Sequence, residues 1–274
     1  MPGLGAIFRK DRVILKIMTI GDVVGSCGSK YLRKILKEIK KEENIDLVIA
    51  NGENSADGNG ITPFSANFLF DSGVDVITTG NHAFRRREIY DFFDNHKNLI
   101  RPFNYPSGNT PGFGYCVIDK FKRKVIIINL MGTIFMESLD CPFKGVNKVL
   151  NKFKDEKNII IVDFHAEATS EKKAMGFYLD GRVSAIFGTH THIPTADEII
   201  LEKGTGYITD VGMTGVEESV LGVKKDIIIK KLTTKMPIRF DYAKGLCKMD
   251  CAIFDIDENT CKTTSVRRFT FREK

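Results

Sequence analysis

Five apolar runs of the sequence each end in polar side chains that can bind a metal ion. The five motifs at these points are Gly21-Asp22, Gly52-Glu53-Asn54, Gly80-Asn81-His82, Asp163-Phe164-His165 and Gly188-Thr189-His190-Thr191-His192. Four of the chain's five histidines lie in these motifs, and His96 is the exception. The joint occurrence indicates one shared metal site rather than five unrelated features.

Seven side chains of these motifs form the predicted ligand set. Three imidazoles, two carboxylates and two amides offer nitrogen and hard oxygen, a mixture that suits iron, manganese or zinc. His190 and His192 alternate in sequence, so in an extended chain their rings would point the same way, about 6.5–7 Å apart. That arrangement suits two metal ions about 3.5–4 Å apart, with a carboxylate such as Glu53 between them. The predicted ligands are Asp22, Glu53, Asn54, Asn81, His165, His190 and His192.

The elements that must position these side chains are strands alternating with helices. The apolar runs are nearly continuous, which predicts strands buried on both faces. They are Ile14–Ile20, Leu47–Ala50, Val74–Thr79, Val125–Leu130, Ile159–Val162, Ala185–Phe187 and Tyr207–Thr209. Amphipathic stretches between them predict helices. We expect Ser29 to cap a helix running through Glu43, Thr62 to cap one at Phe64–Ser72, and three further helices at Arg86–Asn95, Val146–Phe153 and Ser170–Tyr178.

This alternation indicates a layered α/β fold. Ligands of such folds bind at the carboxyl ends of the strands, so the five motifs are expected to meet at one sheet edge. Residues from about 236 to 270, including Cys251–Ile256, predict strands with turns. These strands would form either a second sheet or an antiparallel edge.

Each motif taken alone also has a purely structural interpretation. Asp22 and Asn81 can be turn or cap residues, Gly52-Glu53-Asn54 can be a turn, and His165 can be a hydrogen-bonded core histidine. Neighbouring residues leave similar alternatives open. Asp163 and Asp210 either orient ligand histidines or shape strand ends. The run Arg85-Arg86-Arg87 either contacts a phosphate or is solvated. Cys27 either borders the site or fills a loop.

The composition sets limits on the class of protein. The 274 residues, 42% of them hydrophobic, suit one domain at 14–274, preceded by a loosely ordered extension at 1–13. The net charge of +6 mildly favours anionic partners such as phosphate esters or RNA, although most of the excess lies on predicted helix faces. Six scattered cysteines favour free thiols. With no apolar run of about 18–20 residues and no secretory signal, a cytoplasmic protein is expected.

In their order along the chain, the motifs resemble those of the calcineurin-like metallophosphoesterases, whose pattern runs Asp-x-His, Gly-Asp, Gly-Asn-His, His and Gly-His-x-His. Val24 stands in place of the first histidine of that pattern, and Glu53-Asn54 replaces the usual second motif. These departures are similar to the YmdB-like branch, a bacterial group of cyclic-nucleotide phosphodiesterases. The phrases that carry this similarity are Gly21–Gly25, Asn51–Asn54, Asp163–Glu171 and Thr209–Gly215, within about residues 16 to 270.

The resemblance implies a fold and a division of the ligands. The fold is a two-sheet α/β sandwich flanked by helices, in four layers. Asp22, Glu53, Asn54 and His192 would hold one metal ion, and Glu53, Asn81, His165 and His190 would hold the other. Glu53 would bridge the two ions, Asn54 would fill the place left by Val24, and His82 would be the catalytic proton donor.

The implied activity is hydrolysis of phosphodiesters, foremost 2′,3′-cyclic nucleotides, by attack of metal-activated hydroxide with His82 protonating the leaving group. The branch is linked to RNA turnover, so an RNA-turnover protein is one expected partner, and a homo-oligomer is left open. One alternative is a nucleotide sensor with little turnover that controls RNA turnover or biofilms through a partner. Another is a two-metal hydrolase of a different bond, such as an amide.

Overall fold

The structure of the protein, a computed structural model, describes residues 13–106 and 108–274. The predicted extension at 1–13 therefore lies outside the described residues except for Val13. Within the described ranges the strands are β1 (Ile14–Ile20), β2 (Asp22–Val23), β3 (Leu47–Asn51), β4 (Val76–Thr78), β5 (Tyr115–Ile118), β6 (Val125–Met131), β7 (Ile159–His165), β8 (Ala185–Thr189), β9 (Ile199–Ile200), β10 (Gly206–Ile208), β11 (Met213–Val216), β12 (Cys247–Asp257) and β13 (Lys262–Arg272). The helices are α1 (Gly25–Glu42), α2 (Pro63–Asp71), α3 (Tyr90–Asn95, after a 3₁₀ turn at Arg87–Ile89), α4 (Pro142–Lys152), α5 (Thr169–Leu179) and α6 (Lys225–Thr234). In the described ranges, no helix is long and apolar enough to cross a membrane.

The first sheet has the strand order β2-β11-β12-β1-β3-β4, with β13 paired to β12 outside this path. Strands β1, β3 and β4 run parallel, whereas β12 is antiparallel to β1, β11 and β13. The C-terminal strands predicted within residues 236–270 are therefore an antiparallel hairpin of the first sheet. They begin only at Cys247.

The second sheet has the order β5-β6-β7-β8-β10-β9. Its four central strands are parallel, and β5 and β9 pair antiparallel at the two edges. Parallel strands point their carboxyl ends the same way, so β7 and β8 deliver their following residues to one end of this sheet.

The core explains why the strand sequences are continuously apolar. Ile17 and Ile49 of the first sheet pack against Ile161 and Phe187 of the second, between the two sheets. The intervening residues of β1 and β3, such as Met18, pack under α1 and α2. Helices α4 and α5 cover the outer face of the second sheet. The layers are thus helix, sheet, sheet and helix, which confirms the predicted fold class.

Helix starts were predicted correctly only where the cap is local. Thr62 caps α2, and its hydroxyl accepts from the backbone N–H of Ser65 (3.1 Å), as expected. The prediction that Ser29 caps α1 was wrong, because the helix begins four residues earlier. Ser29 lies inside it and donates to the Gly25 carbonyl (3.0 Å). A carboxylate oxygen of Asp57 accepts from the Ser26 backbone N–H (2.8 Å) at this helix start. A partner 31 residues away cannot be seen in a local sequence pattern.

Candidate metal centre

The five motifs meet between strand ends of both sheets. In the first sheet, β1, β3 and β4 lead into Asp22, into Glu53 and Asn54, and into Asn81. In the second sheet, β7 ends on His165, and β8 leads into His190 and His192. The expectation that all five strands share one sheet edge was wrong. A local pattern marks where a strand ends, but which sheet the strand joins depends on distant pairing.

The first group of predicted ligands surrounds Nε2 of His165. This nitrogen lies 2.8 Å from Oδ1 of Asn81, 3.1 Å from Nδ1 of His190 and 3.3 Å from Oε1 of Glu53. Ligand atoms of Glu53, His165 and His190 all lie within 4.8 Å of one another. These four residues are the ones that the resemblance assigns to a single metal ion.

The second group lies around Nε2 of His192. Oδ1 of Asp22 is 3.6 Å from this nitrogen, and Nδ2 of Asn54 is 3.4 Å from it. The same amide nitrogen donates to Oε1 of Glu53 at 3.3 Å. Glu53 therefore adjoins both groups, which is the place that a bridging carboxylate would need.

One carboxylate oxygen of the second group has no hydrogen bond in the ranges that the structure describes. Oδ1 of Asp22 is buried and has no hydrogen-bond partner among the described residues. The other oxygen, Oδ2, accepts from the backbone N–H of His190 at 3.0 Å. A buried carboxylate oxygen that lacks a partner is costly unless a cation satisfies it. The orphaned atom and the mixed nitrogen and oxygen donors therefore fit a metal centre.

Asn54 is turned so that its amide nitrogen, rather than its oxygen, faces the ligands. Oδ1 of Asn54 lies 3.0 Å from Nδ1 of His82. A half-turn of the amide about its last side-chain bond exchanges the two atoms, which have nearly the same size. That rotamer would direct the oxygen toward Glu53 and His192 and the amide nitrogen toward His82. The ligand role of Asn54 stays a prediction.

His82 lies beside the ligands and faces open space. Its backbone N–H donates to Oε2 of Glu53 at 2.8 Å, and its side chain is 31% exposed. The ring lines a cavity of about 300 Å³ together with Glu53, Asn54, His190 and His192. No hydrogen bond to its Nε2 is seen within the described part of the chain. This is the position that a proton donor needs, since it must reach the substrate rather than a protein group.

The backbone of His190 and His192 is not extended as expected. Strand β8 ends at Thr189, and the φ angles of the two histidines are +103° and +63°. Left-handed backbone at residues other than glycine costs about 1–3 kcal/mol and persists only where the surroundings enforce it. Here Asp22 holds the N–H of His190, and Oδ2 of Asp210 accepts from the N–H of Thr191 at 3.1 Å. The two rings therefore reach different ligand groups because the chain turns between them.

A buried chain of hydroxyls fixes the ring of His165. The hydroxyl of Thr189 donates to Asp163 (2.7 Å), so it accepts from Nδ1–H of His165 at 2.9 Å. Thr78 donates to the other oxygen of Asp163. This network leaves Nε2 of His165 facing the ligands, in the way that supporting residues orient metal-binding imidazoles. Asp163 thus acts through Thr189 rather than touching the ring, and sequence reasoning missed both threonines.

Asp210 supports the loop rather than a histidine ring. Its Oδ2 accepts from Nζ of Lys172 at 2.6 Å, and both side chains are almost fully buried. Lys172 also donates to the carbonyl of Thr189 at 2.8 Å. The pair therefore fixes the end of β8 and, through Thr191, the turn that carries His190 and His192. Sequence reasoning missed Lys172, because a lysine in an amphipathic helix is normally exposed.

The charges within the centre stabilise one another. Burial alone would favour a neutral Glu53, but the rings of His165 and His82 outweigh it and hold the pKa of Glu53 well below its usual range. Burial likewise opposes a charged His165, yet the carboxylates of Glu53 and Asp22 raise its pKa to about 9. Burial and the charge of His165 lower the pKa of His190 to about 3. Carboxylates that need neighbouring positive charge are well suited to bound cations.

Other residues lie around the ligands in ways that the sequence did not indicate. Oε2 of Glu167 is 3.0 Å from Nε2 of His190, which directs the Nδ1 of that ring toward His165. Leu221, Phe240 and Tyr242 line the cavity opposite the ligands. They belong to the segment between β11 and β12, where α6, a helix that was not predicted from the sequence, has no buried residue.

Two motifs considered at the sequence level are not among the residues that line the cavity. Arg86 donates to the carbonyls of Asn59 (2.9 Å) and Asp57 (2.7 Å), and so holds the loop after Glu53. Cys27 is half-buried within α1 and lines a separate pocket behind Val24. Neither motif matches its structural alternative in full, because Arg86 is half-buried rather than solvated and Cys27 lies in a helix rather than a loop.

The two sheets, with the predicted ligands at their strand ends, have the architecture of the calcineurin-like metallophosphoesterases. A proposed 5′-nucleotidase from Staphylococcus aureus shares this fold with a TM-score of 0.60 at 14% identity, covering 94% of this chain and 54% of that one. A model of the YmdB-like protein family matches residues 18–269, and the chain belongs to this family.

Relatives with similar sequences span nearly the whole chain. The 2′,3′-cyclic-nucleotide 2′-phosphodiesterase of Bacillus subtilis (strain 168) is 43% identical over 259 residues, which are 94% of this chain and 98% of that protein. A Mycoplasma pneumoniae structure described as a novel phosphatase superposes with a TM-score of 0.90 at 35% identity and covers 95% of this chain and 94% of its own. The predicted membership of the YmdB-like branch is confirmed.

Proposed function

We propose that the protein is a two-metal phosphodiesterase that opens 2′,3′-cyclic nucleotides. The observation that carries this proposal is the pair of ligand groups sharing Glu53, with His82 beside them at the wall of the same cavity. The name of the Bacillus subtilis relative supports the substrate class. Iron is the first candidate for the metal, and manganese and zinc are the alternatives.

The ligand side chains have distinct roles in this proposal. Asp22, Asn54 and His192 would hold one ion, Asn81, His165 and His190 the other, and Glu53 both. When bound, the two ions would supply positive charge to the phosphate oxygens and lower the pKa of a water molecule toward about 7. The turn at His190–His192 and the buried Lys172–Asp210 pair keep the ligands in place without reorganisation during the reaction.

His82 would donate the proton to the leaving oxygen. Its Nδ1 faces Asn54, so Nε2 is the nitrogen that can approach a substrate in the cavity. A ribose oxygen leaves poorly as an alkoxide, and proton donation at this step typically contributes about 100–10,000-fold.

The test is turnover of 2′,3′-cAMP by purified protein whose metal content has been measured. His82→Ala should lower kcat by about 100–10,000-fold with unchanged metal content. His96→Ala is the matched control, because His96 stacks on Phe92 at the end of α3, outside the cavity. Wild-type turnover in His82→Ala would remove this residue from the mechanism. A metal-loaded wild type that cleaves no phosphodiester would refute the proposed activity and favour a sensor.

A further inference from the structure

A second, larger cavity lies beside the edge of the second sheet. We call it the basic groove. It has a volume of about 610 Å³ and lies between residues 101–105 and 112–115 on one side and helix α4 on the other. The residues that line it include the charged and aromatic side chains of Arg101, Phe113, Tyr115, Lys144, Lys148 and Lys152.

The basic groove has a strong excess of positive charge. Lys144, Lys148 and Lys152 repeat every four residues, so they form one stripe along α4, and all three are exposed. No carboxylate of the described residues lies within ion-pair distance of them. Arg101 donates to three backbone carbonyls, the shortest of these bonds being 2.9 Å, and no carboxylate within the described ranges lies within ion-pair distance of it. Asp94 adjoins the groove, because its carboxylate accepts from the backbone N–H of Gly112 at 2.7 Å. Asp140 is the only acidic side chain among the described residues that line the groove.

Aromatic faces accompany this charge. Phe113 is 43% exposed at the groove although it is a large apolar side chain. Tyr115 is half-buried, and Nζ of Lys152 lies 5.2 Å from the centre of its ring. Tyr115 packs against Phe103 and Phe153, so Phe113 is the ring on which a base could stack. Positive side chains beside an exposed aromatic ring are what single-stranded nucleic acid binds, because the phosphates meet the cations and a base stacks on the ring.

The basic groove adjoins the metal centre. Asn104, which lines it, donates to the carbonyl of Met131 at 2.8 Å, and Met131 pairs with His165 across β6 and β7. Tyr105, on the same wall, makes an edge contact with Phe84 at 5.2 Å between ring centres. Phe84 is two residues beyond His82. With neighbouring strands about 4.8 Å apart, the groove wall begins on the order of 10 Å from His165.

We propose that the basic groove binds the single-stranded RNA that precedes a terminal 2′,3′-cyclic phosphate, so that the enzyme acts on the ends of RNA fragments. This inference rests on the proposed phosphodiesterase function. A 2′,3′-cyclic phosphate forms when a ribose 2′-hydroxyl attacks the adjacent phosphodiester, which leaves it at the 3′ end of the upstream fragment. In the reaction, the oxygen of a water molecule bonds to phosphorus and gives up one proton to solvent, while the bond from phosphorus to O2′ breaks. O2′ takes a proton from His82, which regains one from solvent. The upstream phosphates are the anions that Lys144, Lys148 and Lys152 would contact.

The experiment compares two substrates and two double variants of the metal-loaded protein. The substrates are 2′,3′-cAMP and a six-residue oligoadenylate ending in a 2′,3′-cyclic phosphate. Lys148→Gln/Lys152→Gln should lower kcat/KM for the oligomer by about tenfold and reduce its salt dependence by a slope of about 1.4, from 0.7 for each lost contact. The same double variant should leave kcat/KM for 2′,3′-cAMP unchanged. Lys37→Gln/Lys41→Gln is the control for charge alone, because these two lysines have the same spacing on the exposed face of α1.

Binding separates this inference from the proposed activity. The anisotropy of a 5′-fluorescein hexamer with a plain 3′-phosphate should show about tenfold weaker binding to Lys148→Gln/Lys152→Gln than to the control variant. Phe113→Ser should also weaken binding, and Phe113→Tyr should retain it. Lysine-dependent binding without any turnover would refute the phosphodiesterase activity but support the groove. Equal effects of both double variants would contradict the proposal that the basic groove binds RNA. The proposal would also be contradicted if a polyglutamate peptide, but not unlabelled RNA, displaced the lysine-dependent binding.

Discussion

Replacing Lys172 by methionine should destabilise the fold far more than an ordinary helix substitution. The ammonium group is buried and donates to Asp210 (2.6 Å) and to the Thr189 carbonyl (2.8 Å). Removing one partner of a buried pair leaves the other charge uncompensated, which costs about 3–5 kcal/mol. Burial already raises the pKa of Asp210 against the lowering effect of Lys172. Without the lysine this carboxyl would be strongly disfavoured in its charged form.

The assay is urea unfolding at neutral pH, with Lys173→Met as the matched control. Lys173 is the next residue of α5, its side chain is 41% exposed, and its ion pair with Asp197 is 3.6 Å long. Loss of such an exposed pair should cost no more than about 1 kcal/mol. Adding Asp210→Asn to Lys172→Met should recover part of the stability, because the buried charge is then gone while an amide oxygen can still accept from Thr191. Equal destabilisation by the two lysine variants, or no recovery in the double variant, would refute this account of the pair.

The remaining predictions concern the support of the ligand rings. Thr189→Val removes the hydroxyl between His165 and Asp163 and should weaken metal binding by about 10–100-fold, measured by competition with a chelator. Thr214→Val is its control, because that buried hydroxyl has no partner among the described residues, so metal affinity there should not change. Gly80→Ala would place a Cβ 2.2 Å from Cδ2 of His165 and should displace the ring, halving the metal content by mass spectrometry under native conditions. Gly145→Ala, whose Cβ would meet nothing nearer than 3.5 Å, should keep full metal content, and an unchanged content in Gly80→Ala would contradict the proposed crowding.

The sequence was most informative where a local pattern has one physical cause. Strands buried on both faces must be continuously apolar, so β1, β3, β6 and β7 were all recognised. The polar residues directly after such strands could then be assigned to strand ends without any knowledge of the sheets. Thr62 was recognised as a cap for the same reason, since its partner Ser65 is three residues away.

Features that depend on distant partners could not be predicted. The division of the five strands between two sheets follows from pairing across the whole chain. Lys172 and Asp210 lie 38 residues apart. The local pattern of a helix therefore cannot show that one of its lysines pairs with a buried carboxylate. The turn at His190–His192 was predicted as extended chain, because alternation after a strand is typical of a continuing strand. The contacts that force the turn come from Asp22 and Asp210.

The glycines of the motifs have a role that the sequence only partly indicated. A glycine directly before a ligand residue can allow a sharp turn or a close approach of another group to the backbone. Gly80 lacks a positive φ, and its hydrogen faces the ring of His165 instead. Close approach is therefore its function, and the group approached comes from the other sheet.

The most direct test of the two-metal centre is anomalous diffraction from crystals of the metal-loaded protein. We predict two anomalous peaks, both in contact with Glu53. One peak should lie at bonding distance from Asp22 Oδ1 and His192 Nε2, and the other from Asn81 Oδ1 and His165 Nε2. A single peak, or two peaks that do not share Glu53, would contradict the centre described above.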